Sequence, residues 1–349
     1  MHSPRVSELL ILAASTALAS GFAVGLARRL VGRRLLDVPN ERSSHRIPTP
    51  RGGGIGIVAA FLLAAGVALE PRADSPLLPL AALAVGLSGL GLVDDARPLP
   101  TAPRLLAHVA AALAAIAFVG FESPFGLPLF GNATGALAAV LWTLWIAGFV
   151  NAYNFMDGID GLAATQAIIA GAGWAALGAF AGHDEPLLIG AALAAAALGF
   201  LWHNRPPARI FMGDVGSMFL GFALAVIPLL EASRTPQSSV LGLLVVWPFV
   251  ADTTFTLCRR VLNGENVTRP HRTHLYQRLV RTGSTHARVT ALYAGLALLG
   301  VASALAWERA SGVVQVACLC TLAIAFSALV VWTNARERRA VQSSGPALS

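Results

Sequence analysis

The sequence NAYNFMDGIDGLAA, residues 151–164, places two carboxamides and two carboxylates inside an otherwise almost continuously apolar region. Asn151, Asn154, Asp157 and Asp160 recur every three residues, so neighbouring members lie on adjacent positions of a helix surface. From the first to the last of them a helix turns by about 180° beyond whole turns, so one unbroken helix would point the two ends apart. The glycines that follow each aspartate predict a break, which puts Asp160 on a loop or at the start of the next helix.

The rest of the chain has the composition of a membrane protein. Its 349 residues are 56% hydrophobic and only 12% charged, with a mean hydropathy of +0.67, whereas soluble domains carry about 25% charged residues. Runs long enough to cross a hydrocarbon layer of roughly 30 Å lie at 9–27, 53–69, 77–93, 104–121, 135–154, 161–182, 187–202, 215–231, 239–258, 289–307 and 312–333. The sequence therefore predicts an all-α, polytopic integral membrane protein with about 11 transmembrane helices, residues 1–349 forming a single transmembrane domain. Ten spans are the alternative, because two of the runs are short or begin with glycines.

The arginines predict the orientation. All 25 basic residues are Arg, and cytoplasmic loops carry an excess of positive charge. If the loop at 28–54 is cytoplasmic, 21 arginines fall on that side of the membrane. The four on the other side are Arg5, Arg72, Arg234 and Arg309. We therefore expect the N-terminus outside, the C-terminus in the cytoplasm, cytoplasmic loops at 28–54 and 259–288, and a disordered tail at 334–349.

The net charge of +7 thus belongs to one membrane face, where it favours anionic lipids and phosphate ligands. Nucleic acid is not an expected partner, because the basic loops carry few aromatic residues. The three cysteines are spaced like neither a metal site nor a disulfide framework.

The first cytoplasmic loop, DVPNERSSHRIPTPRGGGIG at 37–56, is too rich in Pro and Gly to be a continuous helix. One interpretation is a positively charged tether. The other is a phosphate cradle, in which the glycines at 52–54 allow close backbone approach and Arg46 or Arg51 contacts an anion. Spacing alone leaves both open.

Asp94 and Asp95, in GLVDDARPLP, end the third predicted span. Adjacent carboxylates repel, and helix C-termini disfavour negative charge. We therefore expect the pair to bind a compensating cation or to transfer protons, and we expect Arg97 to neutralise part of its negative charge. A hydrated loop start is the alternative interpretation.

Asp214, in IFMGDVGS at 210–217, opens the eighth predicted span. It can act as an N-cap, and the flanking glycines would give a ligand access to the helix N-terminus. Asp252 lies roughly 10 Å inside the rim of the ninth span, and the sequence leaves open whether it is catalytic or paired with an arginine.

The longest cytoplasmic loop contains RPHRTHLYQR, residues 269–278. A short amphipathic helix there would present His271 and His274 one turn apart, together with Arg272 and Arg278. We favour phosphate binding over metal binding, because no Cys or nearby carboxylate completes a zinc set.

One chemistry uses all of these parts. The side chains that reach the same cytoplasmic rim are Asp94, Asp95, Asn154, Asp157, Asp160 and Asp214. Carboxylates at a polar mouth fit a hard divalent cation, Mg²⁺ or alternatively Mn²⁺, which completes its shell with substrate phosphate. At a membrane face this indicates phosphoryl transfer between a soluble diphosphate and a lipid phosphate.

Four motifs, which span about residues 37–290 in this order, also resemble the signature segments of the polyprenyl-phosphate N-acetylhexosamine-1-phosphate transferases, glycosyltransferase family 4. They are LVDDARPLP, NAYNFMDGIDGLAA, IFMGDVGS and RPHRTHLYQRL. The resemblance implies Mg²⁺-dependent transfer of a sugar-1-phosphate from a UDP-sugar to undecaprenyl phosphate, which releases UMP and initiates a cell-envelope glycan. It places the active site at the cytoplasmic face of the bacterial inner membrane, in contact with membrane lipids, and it allows a homodimer.

Residue by residue, the resemblance implies that Asp94 and Asp95 supply a general base or a nucleophile. Asp157 and Asp160 would line the nucleotide-sugar site and act in catalysis. The residues it links to the metal are Asp214 and Asn154. Those it links to substrate are Asn151, Asp160, Arg46, Arg51, His271, Arg272, His274 and Arg278. The loop has HRTH where the family has a tighter histidine cluster, which argues against the peptidoglycan translocase and for the O-antigen-initiating branch.

An ion- or proton-coupled secondary transporter is the alternative function, since intramembrane carboxylates also carry ions. A transporter predicts acidic groups near the bilayer midplane and an internal repeat. Here the acidic groups gather at one rim, and we find no repeat.

Overall fold

The computed structural model describes residues 6–31, 35–39, 47–69, 75–120, 134–235, 237–267, 269, 271–310 and 312–343. The helices are α1 Val6–Val31, α2 Gly54–Ala68, α3 Leu77–Ala96, α4 Thr101–Val119, α5 Thr134–Met156, α6 Leu162–Ala181, α7 Asp184–Asn204, α8 Asp214–Glu231, α9 Ser238–Val245, α10 Trp247–Leu262, α11 Leu275–Arg281, α12 His286–Glu308 and α13 Gly312–Ser343. Two short strands, β1 Leu36–Asp37 and β2 Thr49–Pro50, pair antiparallel.

The predicted all-α, polytopic membrane class is confirmed. Across the described ranges, nine helices are long and apolar enough to cross a membrane, and the bent pair α9–α10 makes a tenth candidate. The short apolar helix α2 coincides with the run at 53–69. Ten of the eleven predicted runs therefore coincide with one helix each, and the run at 239–258 coincides with the bent pair. The number of true spans and the orientation of the chain stay predictions.

Helix α8 is the centre of the bundle. Nearly all of its residues are buried, as expected of a helix that is apolar all round, and α2, α3 and α5 pack against it. Small residues allow the close approach: a side chain at Gly221 would meet Val150 on α5, and one at Gly91 on α3 would overlap the Asp214 backbone. These contacts bring the polar ends of α3, α5 and α8 together.

The predicted break within residues 151–164 is confirmed. Helix α5 ends at Met156 and α6 begins at Leu162, with Gly161 in the left-handed region at φ +79°. Residues other than glycine rarely adopt this backbone conformation. The connection turns the chain, so that the two aspartates no longer follow a single helix.

The predicted ninth span at 239–258 is not one straight helix. It divides at Val246 into α9 and α10, which are bent by 79°. Pro248 lies in the first turn of α10, and because proline has no backbone N–H it cannot continue the hydrogen-bond ladder of α9.

The glycines of the first loop serve packing against protein. The backbone N–H groups of Gly53 and Gly54 donate to the carbonyls of Phe211 and Met212, each at 2.9 Å. A side chain at Gly54 would overlap the backbone of Gly216. The glycines therefore allow their backbone to approach the segment before α8, whereas the sequence predicted a close approach to a phosphate.

The chain past residue 334 also differs from expectation. The sequence predicts a disordered tail from that point, but α13 continues as a helix to Ser343. Its C-terminal part is anchored by contacts with α11 that sequence proximity does not reveal, because the two segments lie more than fifty residues apart.

Candidate active site

The first part of the site is the junction of α3 and α8. Asp95 Oδ1 accepts the backbone N–H of Asp214 at 3.0 Å, and Asp95 Oδ2 accepts that of Val215 at 3.2 Å. The residue before α8, Gly213, provides no side-chain cap. The predicted capping role of Asp214 is therefore wrong: the cap comes from Asp95 on α3, and the Asp214 side chain is left to face the site.

Arg104 on α4 compensates the carboxylates. Its Nη1 lies 2.6 Å from Asp94 Oδ2 and 3.4 Å from Asp214 Oδ2, and the backbone N–H of Leu99 also donates to Asp94. Arg97, which sequence proximity suggests as the partner, is exposed and makes no ion pair with a described residue. The neutralising cation therefore comes from the next helix.

Asn154 orients Asp214 from α5. Its Nδ2 donates to Asp214 Oδ1 at 2.8 Å and to the Ser217 hydroxyl at 2.9 Å, which leaves its own carbonyl oxygen without a described donor. Asn151, one turn earlier on α5, is partly exposed. The two predicted metal-linked residues are thus in direct contact.

Asp157 differs from the other carboxylates. Among the described residues none donates a hydrogen bond to it, although it is only partly exposed. Burial raises the pKa of Asp157 to about 7, and the charge of Asp95 adds to that effect, while Arg51 opposes it. Asp157 therefore has oxygens to which no described residue donates, and the negative charges of Asp95 and Asp160 lie near it. Arg51 itself pairs with Asp37 at 2.7 Å, and Arg46 lies outside the described residues.

Asp160 lies across the break and has other partners. Its Oδ2 accepts the backbone N–H of Ala208 at 3.1 Å and lies 3.2 Å from His286 Nδ1. The sequence offered no reason to connect His286 with Asp160, since they are 126 positions apart. Asp157 and Asp160 thus lie in different surroundings, as the glycines between them predicted, and Asp160 contacts Ala208 and His286.

The histidines of the long loop stack over the end of α5. The ring centroids of His271 and His274 are 5.0 Å apart, and that of Phe155 is 5.9 Å from His274. Burial lowers the pKa of His271 to about 4, with the neighbouring His274 adding to the effect. At neutral pH His271 is uncharged, so it would bind a phosphate as a hydrogen-bond donor rather than as a cation.

The predicted helix over 269–278 is shifted: α11 begins after His274, and His271 lies before it. Arg278, expected to bind phosphate, instead donates to both carboxylate oxygens of Glu337, at 2.8 and 2.5 Å, and to Asn334 at 2.6 Å. A two-pronged Arg–carboxylate pair of this kind has specific geometry and charge-assisted hydrogen bonds, and here the Arg278 side chain is buried while that of Glu337 is partly exposed. Arg272 is partly exposed, and its role as a phosphate ligand stays a prediction.

The residues present fit a divalent cation. Within the described part of the chain no three acidic, His or Cys side chains form a ready-made metal cluster. Mg²⁺, however, needs only one or two carboxylates when substrate phosphates complete its shell. Asp214 is oriented by Asn154, whose carbonyl oxygen accepts from no described residue, and the charge of Asp95 close to Asp157 is one that a cation would offset.

Carboxylates crowded at the end of an apolar bundle destabilise it, so they are expected to serve chemistry at the membrane surface. The class that this fold and site define is an integral-membrane transferase of phosphorylated groups.

Comparison with known proteins narrows that class. Residues 77–231 match the model of glycosyl transferase family 4. A probable undecaprenyl-phosphate N-acetylglucosaminyl 1-phosphate transferase of Bacillus subtilis (strain 168) is 33% identical over 261 residues, 72% of this chain and 71% of the relative. A decaprenyl-phosphate N-acetylglucosaminephosphotransferase of Mycobacterium leprae (strain TN) is 31% identical over 332 residues, which are 85% of this chain and 83% of the relative. A phospho-N-acetylmuramoyl-pentapeptide-transferase of Shouchella clausii (strain KSM-K16) is 30% identical over 319 residues, which are 84% of this chain and 95% of the relative.

The chain belongs to the polyprenyl-phosphate N-acetylhexosamine-1-phosphate transferases. The resemblance seen in the four motifs is confirmed, and membership supports the transferase over the transporter. The protein is therefore a membrane transferase that passes a sugar phosphate to a polyprenyl phosphate.

Proposed function

We propose that the protein transfers N-acetylhexosamine-1-phosphate from a UDP-sugar to undecaprenyl phosphate, releases UMP and so initiates a cell-envelope glycan. The observation that carries the proposal is the position of Asp95 between two other carboxylates. It accepts the backbone N–H of Asp214, whose side chain Asn154 orients, and its charge acts on Asp157 at the end of α5, where the loop histidines stack. This arrangement offers a place for a diphosphate at the membrane face. UDP-N-acetylglucosamine is the first donor to test, because two of the relatives named above act on N-acetylglucosamine.

The reaction is a displacement at phosphorus. An oxygen of the lipid phosphate bonds to the β-phosphorus of the UDP-sugar, and the bond from that phosphorus to the bridging oxygen breaks, so that UMP leaves. We assign the attack to the lipid phosphate itself. Both oxygens of Asp94 and both oxygens of Asp95 already accept hydrogen bonds, which makes either carboxylate a poor nucleophile.

Asp157 is the proposed proton acceptor. A phosphate monoester has a second pKa of about 6, and a carboxyl group whose pKa is about 7 is matched to take that proton near neutral pH. Asp94, Arg104 and Asp95 hold the adjacent wall in place. His271 donates its ring N–H to a donor phosphate, and Arg272 adds positive charge.

Mg²⁺, held by Asp214 and the Asn154 carbonyl, would offset the diphosphate charge and polarise the β-phosphoryl group. We place the site on the cytoplasmic face of the bacterial inner membrane, on the arginine-rich side of the bundle. The envelope glycan that best fits the loop sequence is an O-antigen or a similar polymer.

The test is a substrate panel. Purified protein in detergent is incubated with undecaprenyl phosphate, Mg²⁺ and each of several UDP-N-acetylhexosamines, and UMP and lipid product are quantified. We expect UMP with at least one donor, dependent on the lipid and abolished by a chelator. No UMP with any donor contradicts the proposal, and unchanged UMP release in the chelator contradicts its Mg²⁺ dependence.

A further inference from the structure

The carboxylate of Asp252 is completely buried within the bent α9–α10 pair. Its Oδ1 accepts the backbone N–H of Leu275 at 2.9 Å and the Thr256 hydroxyl at 3.1 Å. Its Oδ2 accepts the backbone N–H of Tyr276 at 3.2 Å and the Tyr293 hydroxyl at 2.5 Å. Four donors from three helices therefore satisfy one carboxylate, which is what a buried anion requires.

Asp252 does not pair with an arginine, which was one of the two roles open from sequence. Its basic neighbour is His274, whose Nδ1 lies 3.4 Å away without hydrogen-bonding geometry. No free oxygen is left for a substrate, because all four acceptor positions point to protein donors. The contacts therefore serve the position of α11.

The first turn of α11 is tied through Asp252 to the wall of the active site. The Tyr276 hydroxyl donates to the carbonyl of Phe155 at 2.8 Å. A side chain at Gly158 would overlap that hydroxyl, so the glycine after Asp157 makes the room for this contact. Asp252 and Tyr276 thus connect α10 to the segment that carries Asp157.

The loop histidines are arranged on the same support. The ring of His274 stacks on that of Tyr276, with centroids 5.9 Å apart and planes at 23°. The ring of His271 in turn lies on His274. A displacement of the first turn of α11 would therefore move His271 away from the end of α5.

We propose that Asp252 is a positioning residue for the sugar-nucleotide: it fixes the first turn of α11 and so holds His271 and Arg272 over the Asp157 segment. The inference rests on the proposed function, since it assigns this loop to the donor phosphates. It separates binding of the donor, which needs the loop, from binding of the lipid acceptor.

The experiment compares three variants of the full-length protein. Asp252→Asn replaces an acceptor oxygen by an NH₂ group that faces protein donors. Tyr293→Phe removes one donor and leaves the carboxylate in place. Ser20→Ala is the matched control, because it removes a buried interhelical hydrogen bond of 2.7 Å between α1 and α7, away from α11. KM for the donor, KM for undecaprenyl phosphate and kcat are measured, with amide hydrogen exchange of residues 271–281.

We expect Asp252→Asn to raise the donor KM roughly tenfold or more with little change in the acceptor KM, and to speed exchange at 271–281. Tyr293→Phe should give a smaller change of the same kind, and Ser20→Ala neither change. An unchanged donor KM with unchanged exchange overturns the proposal, as does an equal rise of both KM values. If Asp252→Asn does not fold, Tyr293→Phe decides by the same criteria.

The exchange measurement needs no substrate. If wild-type protein releases no UMP with any donor, the proposed function fails, while faster exchange at 271–281 in Asp252→Asn still shows that the carboxylate holds α11. Unchanged exchange in protein whose wild type is active overturns the positioning role alone.

Discussion

Asp95 caps the helix that Asp214 begins: its two carboxylate oxygens accept the first two backbone N–H groups of α8. An anion at this end of a helix is favoured by the helix dipole. The contact also sets the direction in which the Asp214 side chain leaves the helix. One member of the aspartate pair therefore supports the site through the backbone, and the other pairs with Arg104.

Removing the Asp95 cap should cost both stability and activity. We expect Asp95→Ala to lower the free energy of unfolding by about 1–3 kcal/mol, because two N–H groups lose their acceptors, and to abolish turnover because Asp214 loses its orientation. Asp95→Asn keeps one acceptor oxygen, so its loss of stability should be smaller while turnover is still lost. Thermal unfolding in detergent and UMP release measure the two effects. Equal stability of Asp95→Ala and wild type would show that the cap does not stabilise α8.

Arg104 should matter where Arg97 does not. Arg104→Gln leaves Asp94 and Asp214 without their shared cation, so we expect turnover to fall at least a hundredfold, the scale seen when a charge-positioning group is lost. Arg97→Gln, at an exposed position, is the matched control and should stay within about twofold of wild type, since surface substitutions rarely act at a distance. A large loss in the control with an active Arg104→Gln would reverse this assignment.

Asp157→Asn should separate activity from stability. The pKa of Asp157 is about 7 in the folded protein, while an unfolded aspartate ionises near pH 3.9. Between these values the native state binds a proton that the unfolded state lacks, so stability falls as pH rises through this window. Above pH 7 the full cost is present.

We therefore expect metal-free Asp157→Asn to melt at a higher temperature than wild type at pH 8, with the difference vanishing near pH 4, and to show no turnover. Asp160→Asn is the control. Because Asp160 accepts a hydrogen bond from Ala208, its substitution should lower the melting temperature. A lower melting temperature for Asp157→Asn at pH 8 would contradict the environment described for this carboxylate.

The pairing of Arg278 with Glu337 can be told from phosphate binding by a double-mutant cycle. Arg278→Gln and Glu337→Gln should each destabilise the protein, and the double variant should be no less stable than the worse single variant, because the residues share one interaction. Unfolding temperatures of the four proteins give the coupling. Additive effects on stability, with a raised donor KM in Arg278→Gln alone, would return Arg278 to the substrate site.

Much of the site's composition is predictable from sequence. Spans alternate in direction, so the ends of odd-numbered spans and the starts of even-numbered spans lie on the same side of the membrane. This brings Asp94, Asn154 and Asp214 to one rim. The break between Asp157 and Asp160 follows from glycine chemistry. These inferences need only local sequence and the geometry of a bilayer.

The partners of these residues are not predictable in this way. Arg104 rather than Arg97 neutralises Asp94 because of how α4 is rotated against α3, and a pattern of apolar residues leaves that rotation open. Asp252 lies on α10, beyond the bend of the ninth predicted span, and from there its carboxylate contacts α11. The helical tail pairs with Arg278, 59 positions earlier in the chain, and local composition does not report that contact.

The most direct test of the central claim uses UDP-N-acetylglucosamine, or the active donor from the panel, labelled with ³²P at the β-phosphate. In sugar-phosphate transfer the β-phosphorus stays with the sugar, so the label should move into the undecaprenyl lipid as unlabelled UMP is released in equal amount. Label that remains in the aqueous phase as UDP, with sugar appearing on the lipid, would mean that the bond to the sugar is broken instead, and would contradict the account.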